Sequence, residues 1–259
     1  MDLGIAGKKA LVCASSQGLG HACALALAQE GCEVFINGRD SDKLARAAQA
    51  IAQSTGARVT PVTADVSSPA GRAALLAACP QPDILVNNNA GPPPGRLSEW
   101  DHAAWMGALE ANFLAAAFLM QAVLPGMRER KFGRIVNITS AMVKSPHEAM
   151  GLSTAARAGL TALAKALSRS AIADNVTINN LLPERFDTAR QQFMVQRLVR
   201  EQGLTHDDAR RQITDTVPAG RFGEPAEFGA ACAFLCSAHS GFTTGQNLQL
   251  DGGAYQGLI

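Results

Sequence analysis

The stretch Cys13-Ala14-Ser15-Ser16-Gln17-Gly18-Leu19-Gly20 joins two segments of different pattern. On one side, residues 8–14 are a short apolar run that predicts a buried strand. On the other side, residues 18–31 are rich in alanine and leucine and predict a helix, and residues 33–37 predict a second strand. A strand, a helix and a strand in this order form a βαβ unit with parallel strands, and this unit decides the fold.

The rest of the sequence continues this alternation. Four more predicted helices cover residues 41–54, 69–79, 101–130 and 153–173, and four more predicted strands cover residues 59–64, 83–87, 134–139 and 177–182. The run Ile84-Leu85-Val86 is apolar on both faces, as in a parallel sheet that helices cover on both sides. We therefore expect an α/β fold, a Rossmann-type doubly wound parallel sheet, in a single domain of residues 1–259. The charged residues 189–217 predict a helical flap over the substrate.

Composition favours a small-molecule ligand over a macromolecular one. The chain has 259 residues, 47% of them hydrophobic, which is enough to build the core of one large domain. Its 23 basic and 22 acidic residues leave a formal charge of +1, so no global field attracts nucleic acid or an anionic membrane. Since no run of 18 uninterrupted apolar residues occurs, we expect a soluble, cytoplasmic protein with neither of those partners.

The six cysteines are scattered along the chain. Their one close pair, Cys232 and Cys236, has helical spacing and no histidine beside it. This pattern favours buried, reduced thiols over a metal site or a disulfide, and we expect no bound metal.

The opening stretch also suits a dinucleotide. It has small residues where a backbone must approach a diphosphate, and glycines where the helix starts and its free N–H groups attract phosphate. The same glycines could serve strand-to-helix packing alone, but their place in the first βαβ unit favours the ligand. We assign the following residues to cofactor binding: Ala14, Ser16, Gln17, Gly18, Leu19 and Gly20.

The end of the second predicted strand favours NADP(H) over NAD(H). An NAD enzyme typically places a carboxylate there to hold the ribose hydroxyls, whereas this chain reads Asn37-Gly38-Arg39. The guanidinium of Arg39 can bind a 2′-phosphate by charge-assisted hydrogen bonds. Alternatively, Asp40 could pair with Arg39 on the surface.

With these motifs, almost the whole chain resembles the short-chain dehydrogenase/reductase family, and especially its 3-oxoacyl-carrier-protein-reductase-like members. Residues 13–20 match the family's Thr-Gly-x-x-x-Gly-x-Gly loop, with Cys13 and Ala14 at its first two positions. The resemblance implies cofactor contacts from Asp65 and Val66, from Asn88, Asn89, Ala90 and Gly91, and from Thr188. The asparagine pair of this motif could equally be Asn87 and Asn88.

The resemblance also implies an activity and an assembly. Asn112 falls at the family's helix asparagine and Ser140 at its catalytic serine, so a hydride exchange between NADP(H) and a carbonyl or alcohol substrate is expected. Residues 220–227, 244–246 and 251–253 are characteristic of the family as well. A homotetramer is implied, through the helices beginning near Asp101 and Ser153 and through the C-terminal strand.

Two key residues of the family are replaced. Thirteen residues after Ser140 the chain has Ser153 instead of the acid tyrosine, and four residues further it has Arg157 instead of lysine. This spacing keeps both on one helix face, but serine is a weaker and shorter acid, and arginine stays protonated. A third departure is Glu184, which follows Pro183 where the family has a glycine beside the nicotinamide. The only tyrosine, Tyr255, is near the C-terminus.

The proton donor and the function class therefore have alternatives. The donor could be water, Ser153, or Lys144 or His147 of the loop after Ser140, although both loop residues could simply be solvated. Ser153 could instead cap its helix, and Arg157 could pair with Glu184. We expect an oxidoreductase with an altered catalytic set of Asn112, Ser140, Ser153 and Arg157. The alternative is a cofactor-binding protein without turnover, acting as a sensor or a non-catalytic subunit.

Overall fold

A computed structural model describes residues 1–258 of the chain. Seven strands form one sheet in the order β3-β2-β1-β4-β5-β6-β7, and every neighbouring pair is parallel. The strands are β1 Lys9–Val12, β2 Glu33–Gly38, β3 Val59–Thr63, β4 Ile84–Asn87, β5 Gly133–Ile138, β6 Val176–Pro183 and β7 Asn247–Leu250. The predicted doubly wound α/β fold is confirmed, and its strand order reverses between β1 and β4, where such sheets form a ligand crevice.

The helices cover both faces of this sheet. They are α1 Gly18–Gln29, α2 Ser41–Thr55, α3 Pro69–Ala78, α4 His102–Leu109, α5 Ala115–Glu129, α6 Gly151–Ala171, α7 Ala189–Gln202, α8 His206–Thr214 and α9 Pro225–Cys236. The segment predicted as a flap contains α7 and α8, and α7 ends at Gly203 in the left-handed conformation. A flap role over a substrate stays a prediction.

Side-chain alternation along the central strands builds two apolar cores. In β4, Ile84 and Val86 face the core under α1, α2 and α9, whereas Leu85 faces the core under α5 and α6. All three side chains are fully buried. Each such burial stabilises the fold by about 2 kcal/mol, so the sheet needs helices on both faces.

The predicted helix of residues 101–130 is interrupted by a wider turn. Between α4 and α5, residues Glu110–Leu114 form a π-helical segment that contains Asn112. Such insertions are frequent at functional sites. By length and composition alone, His102–Glu129 is also the one described helix that could cross a membrane, and 39% of its most apolar window is buried. Core helices of soluble proteins pass the same test.

All six cysteines are buried and none forms a disulfide within residues 1–258. Burial raises the pKa of the Cys13 thiol, and likewise that of Cys32, to about 12. These thiols therefore stay protonated at neutral pH and act as small apolar side chains.

A buried arginine fastens the amino-terminal ends of β5 and β6. Arg134 is 1% exposed, and its guanidinium donates to the carbonyl oxygens of Ser237 and Asn175, at 2.9 Å each. The ring of Phe132 lies 4.5 Å from the guanidinium carbon. These contacts lie at the sheet edge opposite the carboxyl ends of the strands.

We predict that Arg134→Lys lowers the free energy of unfolding by about 3 kcal/mol, because one ammonium cannot reach both carbonyls and leaves buried acceptors without donors. Urea unfolding measures the change. The matched control is Arg58→Lys, whose side chain is 79% exposed and should change stability little. An equal unfolding midpoint for both variants would contradict the prediction.

Candidate active site

A crevice of about 610 Å³ opens along the carboxyl ends of the strands. Segments that follow six of the seven strands line it, because these ends meet at one edge of a parallel sheet. It brings together most of the predicted site residues: Ala14, Ser16, Gln17, Gly18, Leu19, Arg39, Asp65, Val66, Asn88, Asn89, Ala90, Gly91, Ser140, Ser153, Arg157 and Thr188. Gly20 and Asn112 lie behind its wall.

The loop after β1 is shaped to receive phosphate. Ala14 and Gly18 both have positive φ, and a Cβ at Gly20 would lie 2.5 Å from the carbonyl oxygen of Ala14, so that position must be glycine. The N-cap of α1, Gln17, makes no side-chain capping bond. The first-turn N–H groups of α1 thus lack a side-chain acceptor at the crevice, which fits a diphosphate.

One cation, Arg39, lines the part of the crevice that follows β2, and a second, Lys43, lies near it. Arg39 is exposed and lines the crevice, while Asp40 accepts a hydrogen bond from the backbone N–H of Lys43 at 2.9 Å and caps α2. The expected alternative, a surface pair of Asp40 with Arg39, is therefore wrong. The Lys43 ammonium donates to the side-chain oxygen of Gln17. Lys43 was not predicted near the site; it lies outside the crevice lining and is connected to it through Gln17.

The asparagines at and just after the end of β4 make different contacts. Asn87 is buried in the sheet, where its side chain donates to Asn137 at 2.8 Å. Asn88 donates to the carbonyl oxygen of Ala14 at 3.0 Å and lines the crevice. The structure therefore places the crevice-lining motif at Asn88 and Asn89, and the register that begins at Asn87 does not fit.

Asn112 supports the wall of the crevice from behind. Its side chain is 5% exposed and donates to the carbonyl oxygens of Ala90 and Ala108, at 3.3 and 3.4 Å. It thereby connects the π-helical segment to the loop after β4. In this position Asn112 can hold the loop, whereas a direct contact with a ligand in the crevice would require a rearrangement.

The guanidinium of Arg157 connects three elements at the floor of the crevice. Its Nη1 donates to the carbonyl oxygens of Ile138 and Thr139 at 2.7 and 3.1 Å, and its Nη2 donates to that of Asn89 at 3.3 Å. Its Nε donates to Ser153 Oγ at 3.2 Å. One side chain thus ties the ends of β4 and β5 to the first turns of α6.

Both structural alternatives for this pair are wrong. Helix α6 begins at Gly151, so Ser153 lies inside its first turn and accepts from Arg157 instead of capping the helix. Arg157 has no carboxylate partner among the described residues, and Glu184 instead lies 3.7 Å from Arg185 Nε. Burial, followed by the repulsion of Arg190, lowers the pKa of Arg157 to about 10. At neutral pH Arg157 is therefore a buried cation without a neutralising anion.

Ser140 lies beside this cation, at the end of β5. Its Oγ accepts a hydrogen bond from the N–H of Met142 at 3.2 Å, which leaves its own hydrogen free for a ligand. The two loop candidates for proton donation lie elsewhere. Lys144 contacts the ring of Tyr255 at 5.2 Å, and His147 is exposed and accepts from a backbone N–H. Neither belongs to the described crevice lining.

The start of the flap closes one side of the crevice. Arg190, in the segment predicted as a flap, lines the crevice, and its Nη2 donates to the carbonyl oxygen of Pro92 at 3.2 Å. Gln191 is 7% exposed and also lines the crevice. Only the nearness of both residues to Thr188 in sequence could have indicated this.

Comparisons with known proteins agree with this arrangement. The family described as enoyl-(acyl carrier protein) reductase matches residues 13–255. The 3-oxoacyl-[acyl-carrier-protein] reductase of Vibrio cholerae is 31% identical over 98% of this chain and 99% of its own. An NADPH-dependent reductase of Bacillus subtilis is 28% identical over 97% and 99% of the two chains.

A solved structure shares the whole architecture. L-sorbose reductase from Gluconobacter frateurii, crystallised with NADPH and L-sorbose, superposes with a TM-score of 0.95 at 30% identity and covers 100% of both chains. The fold, the crevice and these matches agree over nearly the full length. The chain belongs to the short-chain dehydrogenase/reductase family.

Proposed function

We propose that this protein is an NADP(H)-dependent oxidoreductase that exchanges a hydride with a carbonyl or alcohol substrate at an altered catalytic site. The observation that carries this proposal is the buried cation of Arg157 on the floor of the crevice, next to Ser140 and Ser153. A charge held in a closed, prearranged position stabilises a negative oxygen far better than one in water.

The crevice residues fit the cofactor part by part. The N–H groups at the start of α1 would hold the diphosphate, and Arg39 with Lys43 would hold a 2′-phosphate. Asp65 and Val66 would contact the adenine. The nicotinamide half would lie along residues 88–91 and Thr188. Relatives that bind or depend on NADPH support this choice.

Ser140, Arg157 and Ser153 would each have a different role at the substrate oxygen. When bound, NADP(H) supplies or accepts the hydride. The hydroxyl of Ser140 donates to the substrate oxygen, and Arg157 stabilises negative charge on it. The Ser153 hydroxyl oxygen accepts a hydrogen bond from Arg157 Nε, so the hydroxyl hydrogen points away from Arg157 and can be donated to the substrate. A Cβ at Gly91 would lie 3.5 Å from Ser153 Oγ and 3.6 Å from Arg157 Nη2, so both groups lie directly against the loop after β4.

One observation favours a second function, a cofactor-binding protein without turnover. The diphosphate loop is complete, while the acid tyrosine of the family is replaced by the much weaker acid Ser153. Such a protein could report the cofactor level or stabilise a catalytic partner subunit. The retained Ser140 and the buried Arg157 charge favour the enzyme.

We also propose a homotetramer. The long helix formed by α4 and α5 exposes Met106 and Phe118, which are 43% and 45% accessible in the isolated chain. Apolar side chains on one helix suit burial against a second copy. The cytoplasmic location stays a prediction.

The cofactor choice is testable at Arg39. We predict that Arg39→Ala weakens NADPH binding roughly tenfold and leaves NADH binding nearly unchanged, because only NADPH carries the 2′-phosphate. Fluorescence titration of both nucleotides measures this. Arg58→Ala, at the start of β3 and away from the crevice, is the control. Tighter binding of NADH than NADPH to the wild-type protein would contradict the assignment.

The activity is testable on a panel of ketones and alcohols. We predict that Ser140→Ala and Ser153→Ala each lower kcat at least tenfold, since each removes a hydrogen-bond donor to the substrate oxygen. Steady-state kinetics at saturating NADPH or NADP⁺ measures the loss. An unchanged rate in Ser153→Ala would remove Ser153 from the chemistry. Tight NADPH binding with no turnover across the panel would favour the non-catalytic function.

A further inference from the structure

We propose that Glu184 is the general acid and base of this site and replaces the missing tyrosine in proton transfer. This inference rests on the proposed oxidoreductase function. It adds a catalytic residue at the position where the family has a glycine.

Among the side chains that line the crevice, Glu184 is the candidate for proton transfer. The titratable side chains in the described lining are Arg39, Asp65, Arg157, Glu184, Arg185 and Arg190. No histidine, lysine, cysteine or tyrosine is among these lining residues. Because arginine does not give up its proton at physiological pH, only the two carboxyl groups can exchange one. The choice is therefore between Asp65 and Glu184.

Sheet order separates these two carboxyl groups. Asp65 follows β3, the outermost strand beyond β2, on the adenosine side of the crevice. Glu184 follows β6, which pairs directly with β5, and β5 leads into Ser140. Only Glu184 thus lies on the catalytic side of the sheet.

The strand register brings Glu184 close to Ser140. Ile138 pairs with Leu181, and Thr139 continues the ladder by donating its N–H to the carbonyl oxygen of Leu181 at 2.9 Å. Two residues further along each strand, Ser140 is level with Pro183, the residue before Glu184. Neighbouring strands are about 4.8 Å apart, and both Ser140 and Glu184 line the crevice at these adjacent strand ends.

The backbone around Glu184 is fixed on two sides. Its N–H donates to the carbonyl oxygen of Leu250 in β7 at 3.0 Å, and the next carbonyl, that of Arg185, accepts from Gly223 at 3.0 Å. Arg185 has φ +56°, a left-handed conformation that a residue with a side chain rarely adopts. Strained backbone of this kind is concentrated at functional sites.

The Glu184 carboxylate can also take up a new proton after it has donated one. The Glu184 side chain is 20% exposed and its Oε1 lies 3.7 Å from Arg185 Nε, so it borders both the crevice and solvent. A proton given to the substrate can therefore be replaced from water. A fully enclosed carboxyl group would lack this route.

The proton balance is complete in both directions. During reduction, hydride from NADPH forms the new C–H bond while the Glu184 carboxyl proton passes to the carbonyl oxygen, and the resulting carboxylate takes a proton from water. During oxidation, the Glu184 carboxylate accepts the alcohol proton while the hydride passes to NADP⁺.

The test compares Glu184→Gln, which keeps the shape without an exchangeable proton, with Glu184→Asp and with Glu184→Gly, the residue of the family. We expect Glu184→Gln and Glu184→Gly to lose at least 100-fold in kcat in both directions and to change the pH profile of kcat. Glu184→Asp should recover part of the rate. NADPH affinity, measured by fluorescence, should stay within about twofold in all three variants, because a proton-transfer role needs no cofactor contact.

Lys144→Ala and His147→Ala are the controls, since both residues lie outside the crevice lining and should keep the wild-type rate and pH profile. A Glu184→Gln enzyme with the wild-type rate and pH profile overturns the inference, as does a loss confined to either control. A tenfold or greater loss of NADPH affinity in Glu184→Gln assigns the residue to cofactor binding instead. If the wild-type protein binds NADPH but shows no turnover, the oxidoreductase proposal itself fails. Failure of the Glu184 role alone would instead leave an active wild-type enzyme.

Discussion

The buried guanidinium of Arg157 is the interaction on which the carboxyl edge of this sheet depends. A charge removed from water is costly unless hydrogen bonds replace its hydration. Three backbone carbonyls and one hydroxyl provide that replacement, and they come from the loop after β4, the end of β5 and helix α6. The requirement to solvate one cation therefore holds three elements in the positions that form the crevice.

Behind this edge, a row of amides stiffens the sheet. Asn87 donates to Asn137, Asn137 to Asn180, and Asn180 to Asn247, at 2.8, 3.0 and 2.8 Å. The row crosses β4, β5, β6 and β7 and lies just behind the catalytic end of the crevice. Such polar networks define one strand register, because a slip by one residue would leave more buried amides without partners. The register in turn sets the level of Ser140 relative to Pro183.

Periodicity and turn residues were sufficient to predict six strands, the helices between them and the doubly wound sheet, because these depend on local pattern. Helix α9 and the bounds of β7 were not predicted. The crevice residues were found through motifs at the strand ends. The partners of Arg157, Arg190 and Asp40 were not predicted correctly, since they depend on which loops meet in space. Pro92 lies 98 positions from its donor Arg190, and no local pattern specifies that contact. That Pro183 lies level with Ser140, with Glu184 directly after it, likewise depends on the register of β5 against β6.

The four hydrogen bonds of Arg157 also limit which residues can occupy positions 153 and 157. A lysine at this position has three donors on one atom and cannot reproduce bonds that diverge from a planar fork. A tyrosine at position 153 would meet the guanidinium where Ser153 now accepts its Nε hydrogen. Either Ser153→Tyr or Arg157→Lys alone would thus be unfavourable in the present surroundings. The two positions constrain each other, so a tyrosine and a lysine could be accommodated only together and with a new arrangement of the surrounding carbonyls.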